Sequence, residues 1–316
     1  MVWIKKVNIY LSRLTDEELE KYREAGKIVV QVMRKAKKMV SKGRKLIIIC
    51  DALEKEIFRL GAKPAFPVNI SVNQIAAHYT SPIDDELKIP ERAIVKIDLG
   101  AHIDGYIADH AKTFLVGGTK TYQKLKKTAE LALQNAVDFI KPGVRPSDIG
   151  EVIENTIRNE DLIPITDLTG HVIDRWKLHT GTSIPNYKPA LNIFSSKLKQ
   201  GQVLAIEPFV TTSEGSEKIY DESYSFIFSQ IGKKAKSEDG KILLKEIEQY
   251  NKLPFALRWL EGLFPQTRLF EALKELISFK TLNRYPMLVS KSQTPIAQAE
   301  HTIIITENGN EVITKL

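Results

Sequence analysis

Residues 93–116 form the pattern that most constrains the fold of this 316-residue chain. Two β-prone runs, AIVKIDLGAHI and YIADHAKTFLV, flank the dipeptide Asp104-Gly105. An Asp-Gly pair between two such runs is typical of a two-residue hairpin turn, because both residues tolerate the left-handed backbone that the turn requires. The sequence therefore predicts a long antiparallel hairpin.

The predicted hairpin fixes which residues face each other. With a two-residue turn, Asp98 lies opposite Ala111 and Asp109 lies opposite Gly100. Side chains alternate between the two faces of a strand, so both aspartates lie on one face, roughly 7–8 Å apart as diagonal neighbours. Two carboxylates on an apolar face repel each other and resist desolvation. Either solvent or a cation compensates them, and the pair alone leaves both interpretations open.

Two further carboxylates adjoin β-prone runs. Glu207 follows the run Val203–Ile206, and Glu300 precedes an apolar run in the segment QAEHTIII. Glutamate is uncommon in strands unless a cation compensates its charge. Two divalent cations would neutralise these glutamates together with Asp98 and Asp109. With one imidazole and a bridging hydroxide, this set has the composition of a dinuclear hydrolase centre.

The six histidines of the chain are His78, His102, His110, His171, His179 and His301. His171 follows a glycine between two strand-like pieces and is the best candidate for the imidazole ligand. His78 and His179 lie in short loop-like contexts that suit acids or hydrogen-bond donors. His110 and His301 each neighbour a proposed ligand, so within a strand they face the opposite side.

Helix signals surround this β-rich region. Thr15 followed by Glu18 is typical of a capping box. The sequence predicts helices over about Asp16–Val40, Arg44–Leu60, Thr121–Ile140 and Ser147–Arg158. Residues 232–292 are rich in Lys, Leu and Glu, and we interpret them as a helical insertion with helices near 242–251, 255–263 and 268–279. Because strand patterns return at 296–306, we expect an α+β catalytic domain that this insertion interrupts.

The charge of the chain bears on its partners. Lys and Arg number 46 against 39 Asp and Glu, which gives a formal net charge of +7. The Lys-rich helices are either solvated faces or a surface weakly attracted to an anionic partner such as ribosomal RNA. No aromatic residues interleave these charges, so we expect no DNA-reading surface.

Cysteine usage and hydropathy bear on the compartment. The single cysteine, Cys50, excludes an intrachain disulfide and a cysteine-based zinc site. No apolar stretch reaches the ~18 residues that a membrane-spanning helix needs, and the N-terminus lacks the apolar core of a signal peptide. We therefore expect a cytoplasmic protein without a membrane segment.

Four segments, KIDLGAHIDGYIAD, LTGHVID, AIEPFV and QAEHTIII, together resemble the methionine aminopeptidases, a family of pita-bread metallopeptidases. The family's ligand order Asp, Asp, His, Glu, Glu is matched at Asp98, Asp109, His171, Glu207 and Glu300. The long gap between the two glutamates and the stretches FPVNIS (66–71) and AAHYT (76–80) resemble the type 2 branch. Without a long charged N-terminal extension, the chain is similar to the archaeal form.

The resemblance implies two divalent ions per chain, which could be cobalt, manganese, iron or zinc. Asp98 would bind one ion and His171 the other. Asp109 and Glu300 would bridge the two ions. Glu207 would be both a ligand and the proton acceptor for the attacking water.

The resemblance also implies roles in substrate binding. His78 would hydrogen-bond the scissile amide and help its nitrogen leave, and His179 would contact the carbonyl or the substrate side chain. Methionine needs an apolar, adaptable pocket. The alternative interpretation of the apolar residues at the matching positions is that they only pack in the core. The matching pocket positions are Phe66, Leu178, Phe209 and Tyr285.

We expect a monomer with one pita-bread catalytic domain over 1–316, built from a central curved antiparallel sheet, flanking helices and the insertion at 232–292. It would remove the N-terminal methionine from nascent proteins, favour a small second residue and work near the ribosome. The alternative enzyme is an X-Pro aminopeptidase or dipeptidase, which shares the fold and ligands but usually has a short gap between the glutamates. A non-catalytic relative that binds ribosomes or RNA is the alternative from another class, and such relatives lose metal ligands.

Overall fold

The computed structural model describes residues 14–190, 196–222 and 225–315. The α-helices within these residues are α1 (Asp16–Met39), α2 (Leu46–Arg59), α3 (Lys120–Phe139), α4 (Pro146–Arg158), α5 (Glu238–Ile247) and α6 (Gln266–Ser278). Short 3-10 helices cover Glu248–Tyr250 and Leu257–Leu260.

The strands connect these helices into an α+β arrangement. They are β1 (Lys63–Val72), β2 (Ile75–Ala77), β3 (Ala93–Ile103), β4 (Tyr106–Val116), β5 (Leu162–Pro164), β6 (Thr169–Ile173), β7 (Ser183–Pro185), β8 (Val203–Ile206), β9 (Phe209–Thr212), β10 (Ile219–Asp221), β11 (Ile227–Gln230), β12 (Phe255–Ala256), β13 (Leu282–Tyr285), β14 (Leu288–Ser290), β15 (Ile296–Gln298), β16 (His301–Ile305) and β17 (Asn310–Val312).

Helix α1 begins where its sequence supplies a cap. Thr15 Oγ1 accepts a hydrogen bond from the amide of Glu18 (3.3 Å), and Glu18 Oε2 accepts one from the amide of Thr15 (2.8 Å). This confirms the predicted capping box. The predicted helices match α1 to α4 within about two residues at each end, which is the usual uncertainty of helix boundaries.

The hairpin of β3 and β4 forms in the predicted register. Asp98 pairs with Ala111, and Gly100 pairs with Asp109. The two turn residues have φ angles of 50° and 88°, the left-handed values that an Asp-Gly turn tolerates. Strand β1 pairs with the other edge of β3, and the buried faces of α1 and α2 pack against this three-stranded sheet.

A second, five-stranded antiparallel sheet has the order β17–β16–β8–β6–β7 and packs against α3 and α4. The two sheets meet where β16 approaches β4. The amide of Glu300 donates to the carbonyl of Ala111 (3.0 Å), and the amide of Asp109 donates to Thr302 Oγ1 (2.8 Å). Strand ends from both sheets therefore converge beside β4.

The segment 232–292 contains α5 and α6 around a hydrophobic core of its own. The prediction of a helix near 255–263 is wrong, because Phe255 and Ala256 form β12 and only a 3-10 helix follows. Phe255 pairs with Phe228 of β11, and this tertiary contact overrides the helical pattern of a short apolar run. None of the described helices is long and apolar enough to cross a membrane.

Candidate metal centre and its cleft

The proposed ligands lie on five strands or at their ends. Asp98 is on β3 and Asp109 on β4, His171 is on β6, Glu207 follows β8, and Glu300 precedes β16. All of them line one cavity of about 350 Å³. Residues far apart in sequence thus converge because the two sheets meet at β4 and β16.

The distances within this group are short. Asp109, His171 and Glu300 each offer a ligand atom, and these atoms all lie within 4.8 Å of one another. His171 Nε2 lies 3.6 Å from Asp109 Oδ2 and 3.6 Å from Glu207 Oε1. These distances are longer than a hydrogen bond, but they suit ligand atoms that surround a common cation.

The four carboxylates have few protein partners, and three of them have a buried oxygen without any hydrogen bond from the described residues. Burial is the main cause that raises the pKa of all four acids, to about 7 for Asp109, and the Coulomb repulsion of neighbouring carboxylates raises the pKa of the other three further. Asp98 Oδ1, Asp109 Oδ1 and Glu300 Oε2 are buried and accept no hydrogen bond from the described residues. Buried anionic oxygens without donors fit divalent cations, which prefer carboxylate ligands.

Two buried amides in this region were missed by the sequence analysis. Gln298 Nε2 donates to Glu207 Oε2 (3.3 Å), which steadies that carboxylate. Asn69 lines the cavity and pairs with Asp98 across β1 and β3. The register of β1 could have revealed Asn69 only if the pairing of β1 with β3 had been known.

The two proposed catalytic histidines both lie beside Tyr285. The His78 ring meets the Tyr285 ring edge-on with centroids 5.7 Å apart, and the His179 ring lies 6.5 Å from it. The His179 ring also lies 4.4 Å from the ring of His171. Burial lowers the pKa of His78, that of His179 to about 3 and that of His171 to about 4, so all three rings are neutral at pH 7.

His78 has a constrained geometry. Its φ of 65° is unusual for a non-glycine residue, and its Nδ1 lies 3.1 Å from the carbonyl oxygen of Pro286. A carbonyl can only accept, so Nδ1 carries the proton. Nε2 of the neutral ring is therefore left as an acceptor.

The proposed pocket residues also line the cavity: Phe66, Leu178, Phe209 and Tyr285. Ala77, Ile227, Pro254 and Leu288 add apolar walls that the sequence analysis did not identify. A Cβ atom on Gly100 would lie 2.3 Å from Cε1 of Phe66, so the glycine makes room for the ring.

Two of the remaining histidines face away from the cavity, as the alternation along β4 and β16 predicts. The rings of His110 and His301 stack 5.0 Å apart, and His110 Nδ1 lies 2.5 Å from the carbonyl oxygen of Glu300. His102 packs against Trp176 near the hairpin turn. The described structure thus separates these rings from the three that line the cavity.

Comparison with known sequences connects this geometry to a family. Residues 20–307 match the model of metallopeptidase family M24. The methionine aminopeptidase of Methanothermobacter thermautotrophicus is 42% identical over 299 residues, covering 94% of this chain and 99% of that relative. The methionine aminopeptidase of Thermococcus onnurineus is 40% identical and covers 94% of this chain and 100% of its own length.

The fold is also similar to solved structures. The crystal structure of a methionine aminopeptidase from Thermotoga maritima superposes with a TM-score of 0.71 at 25% identity, covering 96% of this chain and 99% of that chain. Together with the mixed helices and antiparallel sheets, this similarity confirms the predicted α+β pita-bread fold.

Proposed function

This chain belongs to metallopeptidase family M24, and we propose that it removes the N-terminal methionine from proteins. One observation carries the proposal: buried carboxylate oxygens without hydrogen-bond donors among the described residues share a single cavity with an apolar pocket. The first feature suits metal-dependent hydrolysis, and the second suits a methionine side chain. Relatives of almost the same length bear the name of this activity.

The proposed cofactor is a pair of divalent cations, of cobalt, manganese, iron or zinc. Asp98 would hold one ion and His171 the other, with Asp109 and Glu300 shared between them. When bound, such ions supply Lewis-acid chemistry and lower the pKa of water. Charge balance supports the number two, because among the described residues the cavity brings together the carboxylates of Asp98, Asp109, Glu207 and Glu300, while Asp167 at its edge is paired with Lys218.

Glu207 would accept the proton of the attacking water. Gln298 holds its Oε2 atom at 3.3 Å, while its Oε1 atom lies on the side of His171. A carboxylate held at one oxygen presents the other in a fixed direction, as a general base requires.

The two neutral histidines would orient the substrate peptide. With Nδ1 donating to Pro286, His78 would present Nε2 as an acceptor for the scissile N–H. In this tautomer Nε2 carries no proton, so His78 can protonate the leaving nitrogen only after Nε2 has taken up a proton. This modifies the expectation that His78 helps the nitrogen leave. His179 would donate to the peptide carbonyl, a role open to a neutral imidazole.

The apolar walls of the cavity would bind the methionine side chain through Phe66, Leu178, Phe209 and Tyr285. A small second residue, action on nascent chains near the ribosome, a monomeric state and a cytoplasmic location complete the proposal. The net charge of +7 supports proximity to ribosomal RNA but identifies no binding surface.

A substrate panel tests the proposal. Metal-stripped protein is given each candidate ion in turn and offered Met-Ala-Ser, Met-Trp-Ser, N-acetyl-Met-Ala-Ser and Ala-Pro. We expect metal-dependent release of methionine from Met-Ala-Ser, slower release from Met-Trp-Ser, and no reaction with the acetylated peptide or with Asp109→Ala. Cleavage of Ala-Pro without cleavage of Met-Ala-Ser would instead favour a proline-directed peptidase.

A further inference from the structure

We propose that Arg258, in the segment 232–292, is a positioning residue that keeps the His78 side chain in the orientation that catalysis requires. The inference rests on the proposed function, since it concerns how one of its catalytic side chains is oriented. Arg258 does not line the catalytic cavity, so it would act only through the residues that it binds.

Arg258 is 7% exposed and forms hydrogen bonds with residues that closely follow His78 in the chain. Its Nη1 atom donates to Thr80 Oγ1 (2.6 Å) and to the carbonyl oxygen of Ser81 (3.1 Å). A planar guanidinium fixes two acceptors at once, which an ammonium group on a shorter reach does not reproduce. The segment that follows His78 is therefore bound at adjacent residues by one rigid group.

A buried carboxylate holds the other side of the guanidinium. Glu54 of α2 is 5% exposed and accepts a hydrogen bond from Arg258 Nη2. It also accepts from the amide of Val68 (3.0 Å) and from Trp259 Nε1 (2.7 Å). The Glu54–Arg258 pair thus joins α2, β1, the segment after His78 and the 3-10 helix at Leu257–Leu260.

The backbone conformation of His78 explains why these hydrogen bonds matter for the orientation of its ring. A non-glycine residue at a φ of 65° lies in a sparsely populated region and keeps that conformation only when its surroundings impose it. Two residues of the segment 232–292 bind this part of the chain: Pro286 accepts from the His78 ring, and Arg258 binds Thr80 two residues later. Loss of either contact frees the imidazole to rotate.

Two other hydrogen bonds anchor the residues that follow His78. Thr80 Oγ1 donates to the carbonyl of Val68 (2.8 Å), and the amide of Ile70 donates to Tyr79 (2.7 Å). Both anchors belong to β1, which Glu54 itself holds through the amide of Val68. Arg258 therefore contributes to the direct anchor of the His78 segment and to the indirect one.

The test compares Arg258→Lys with Arg268→Lys. Arg268 belongs to the same segment but pairs with Asp239 at the surface, so it is a matched control. Misplacing a catalytic group by about 1 Å costs roughly 100-fold in rate. We expect Arg258→Lys to lower kcat on Met-Ala-Ser about 10- to 100-fold with little change in KM or in bound metal, and Arg268→Lys to leave kcat unchanged.

A double-mutant cycle with His78→Ala separates positioning from general damage. If Arg258 acts through His78, Arg258→Lys produces no further loss of kcat in the His78→Ala protein. An equal loss in both backgrounds overturns the proposal, as does an unchanged kcat in folded Arg258→Lys. If that variant does not fold, Thr80→Val takes its place in the cycle, because it removes both hydrogen bonds of the Thr80 hydroxyl, to Arg258 and to Val68, and retains both residues of the Glu54–Arg258 pair.

A spectroscopic readout keeps the inference distinguishable from the proposed function. In protein with ¹⁵N-labelled histidine, we expect the His78 ring signals to report the Nδ1-protonated form and to change in Arg258→Lys but not in Arg268→Lys. This measurement requires no turnover. Unchanged His78 signals overturn the positioning role even if methionine is released, whereas an inactive wild-type protein with the expected signals overturns only the proposed function.

Discussion

His171 Nε2 lies 3.6 Å from Asp109 Oδ2, although the two residues belong to different sheets. This is about the separation of two ligands that bind one ion with bonds near 2.1 Å. Three of the four acids have a buried oxygen that accepts no hydrogen bond from the described residues, and burial lowers the pKa of the adjacent His171 imidazole to about 4. The relationship is therefore the structural basis for the proposed metal centre.

The cost of burying these acids without metal can be measured through Glu300, which is 1% exposed. In chelator-treated protein, Glu300→Gln removes one of several mutually repelling carboxylates, so we expect it to raise the free energy of unfolding by about 1–3 kcal/mol. The same change should reduce the stabilisation that added divalent ions give. Thermal unfolding with and without chelator measures both effects, with exposed Glu307→Gln as control. Destabilisation by Glu300→Gln in the metal-free state would contradict this electrostatic account.

Gly100 makes room for the Phe66 ring in the proposed methionine pocket. An added Cβ would lie 2.3 Å from Phe66 Cε1, so we expect Gly100→Ala to displace the ring and lower kcat/KM on Met-Ala-Ser about 10-fold or more. Adding Phe66→Leu, which removes the clashing ring atoms, should restore part of the loss. Gly309→Ala is the control, because a Cβ there would lie 4.0 Å from Thr306 Oγ1, an ordinary van der Waals distance. Wild-type kcat/KM in Gly100→Ala would show that Phe66 does not shape the pocket.

Local signals explain what the sequence predicted well. The Asp-Gly turn set the register of β3 and β4, and therefore the shared face of Asp98 and Asp109, from a few neighbouring residues. The capping box at Thr15 similarly located the start of α1. Both motifs act within a few residues, so their geometry can be predicted without tertiary information.

Tertiary contacts explain what the sequence did not predict. Gln298 reaches Glu207 across 91 positions, and Arg258 reaches Glu54 across 204, so neither pair leaves a local pattern. Phe255 forms a strand because β11 is available beside it, whereas its own neighbours favour a helix. The positions of the ligands needed the family's motifs, because nothing in the spacing of His171 or Glu207 specifies how the two sheets meet.

His102 gives the protein a predictable response to acid. Burial, with a smaller contribution from Lys63, lowers its pKa to about 4 from an ordinary value of 6.5, while Asp104 acts in the opposite direction. Between about pH 4 and 6.5, His102 therefore binds more protons in the unfolded chain than in the folded protein. The stability that neutral His102 contributes is present above about pH 6.5 and is lost as the pH falls toward 4.

Replacing His102 should flatten this response. The amide of Gly105 donates to His102 Nδ1 (3.2 Å), and Asn at this position offers an oxygen acceptor instead. We expect the free energy of unfolding of His102→Asn to fall less steeply between pH 6.5 and 4 than that of wild type, by up to about 1.4 kcal/mol per pH unit. Denaturant titrations at several pH values measure the slopes. Parallel slopes would mean that His102 is not buried in its neutral form.

The most direct test of the account counts the ions that the five proposed ligands hold. Equilibrium dialysis of metal-stripped protein against manganese or cobalt, followed by elemental analysis, gives the bound ions per chain. We predict two ions per chain in wild type, loss of both in Asp109→Ala, and release of methionine from Met-Ala-Ser only when ions are bound. An Asp109→Ala protein that binds ions as wild type does, or a metal-free wild type that cleaves the peptide, would contradict the account.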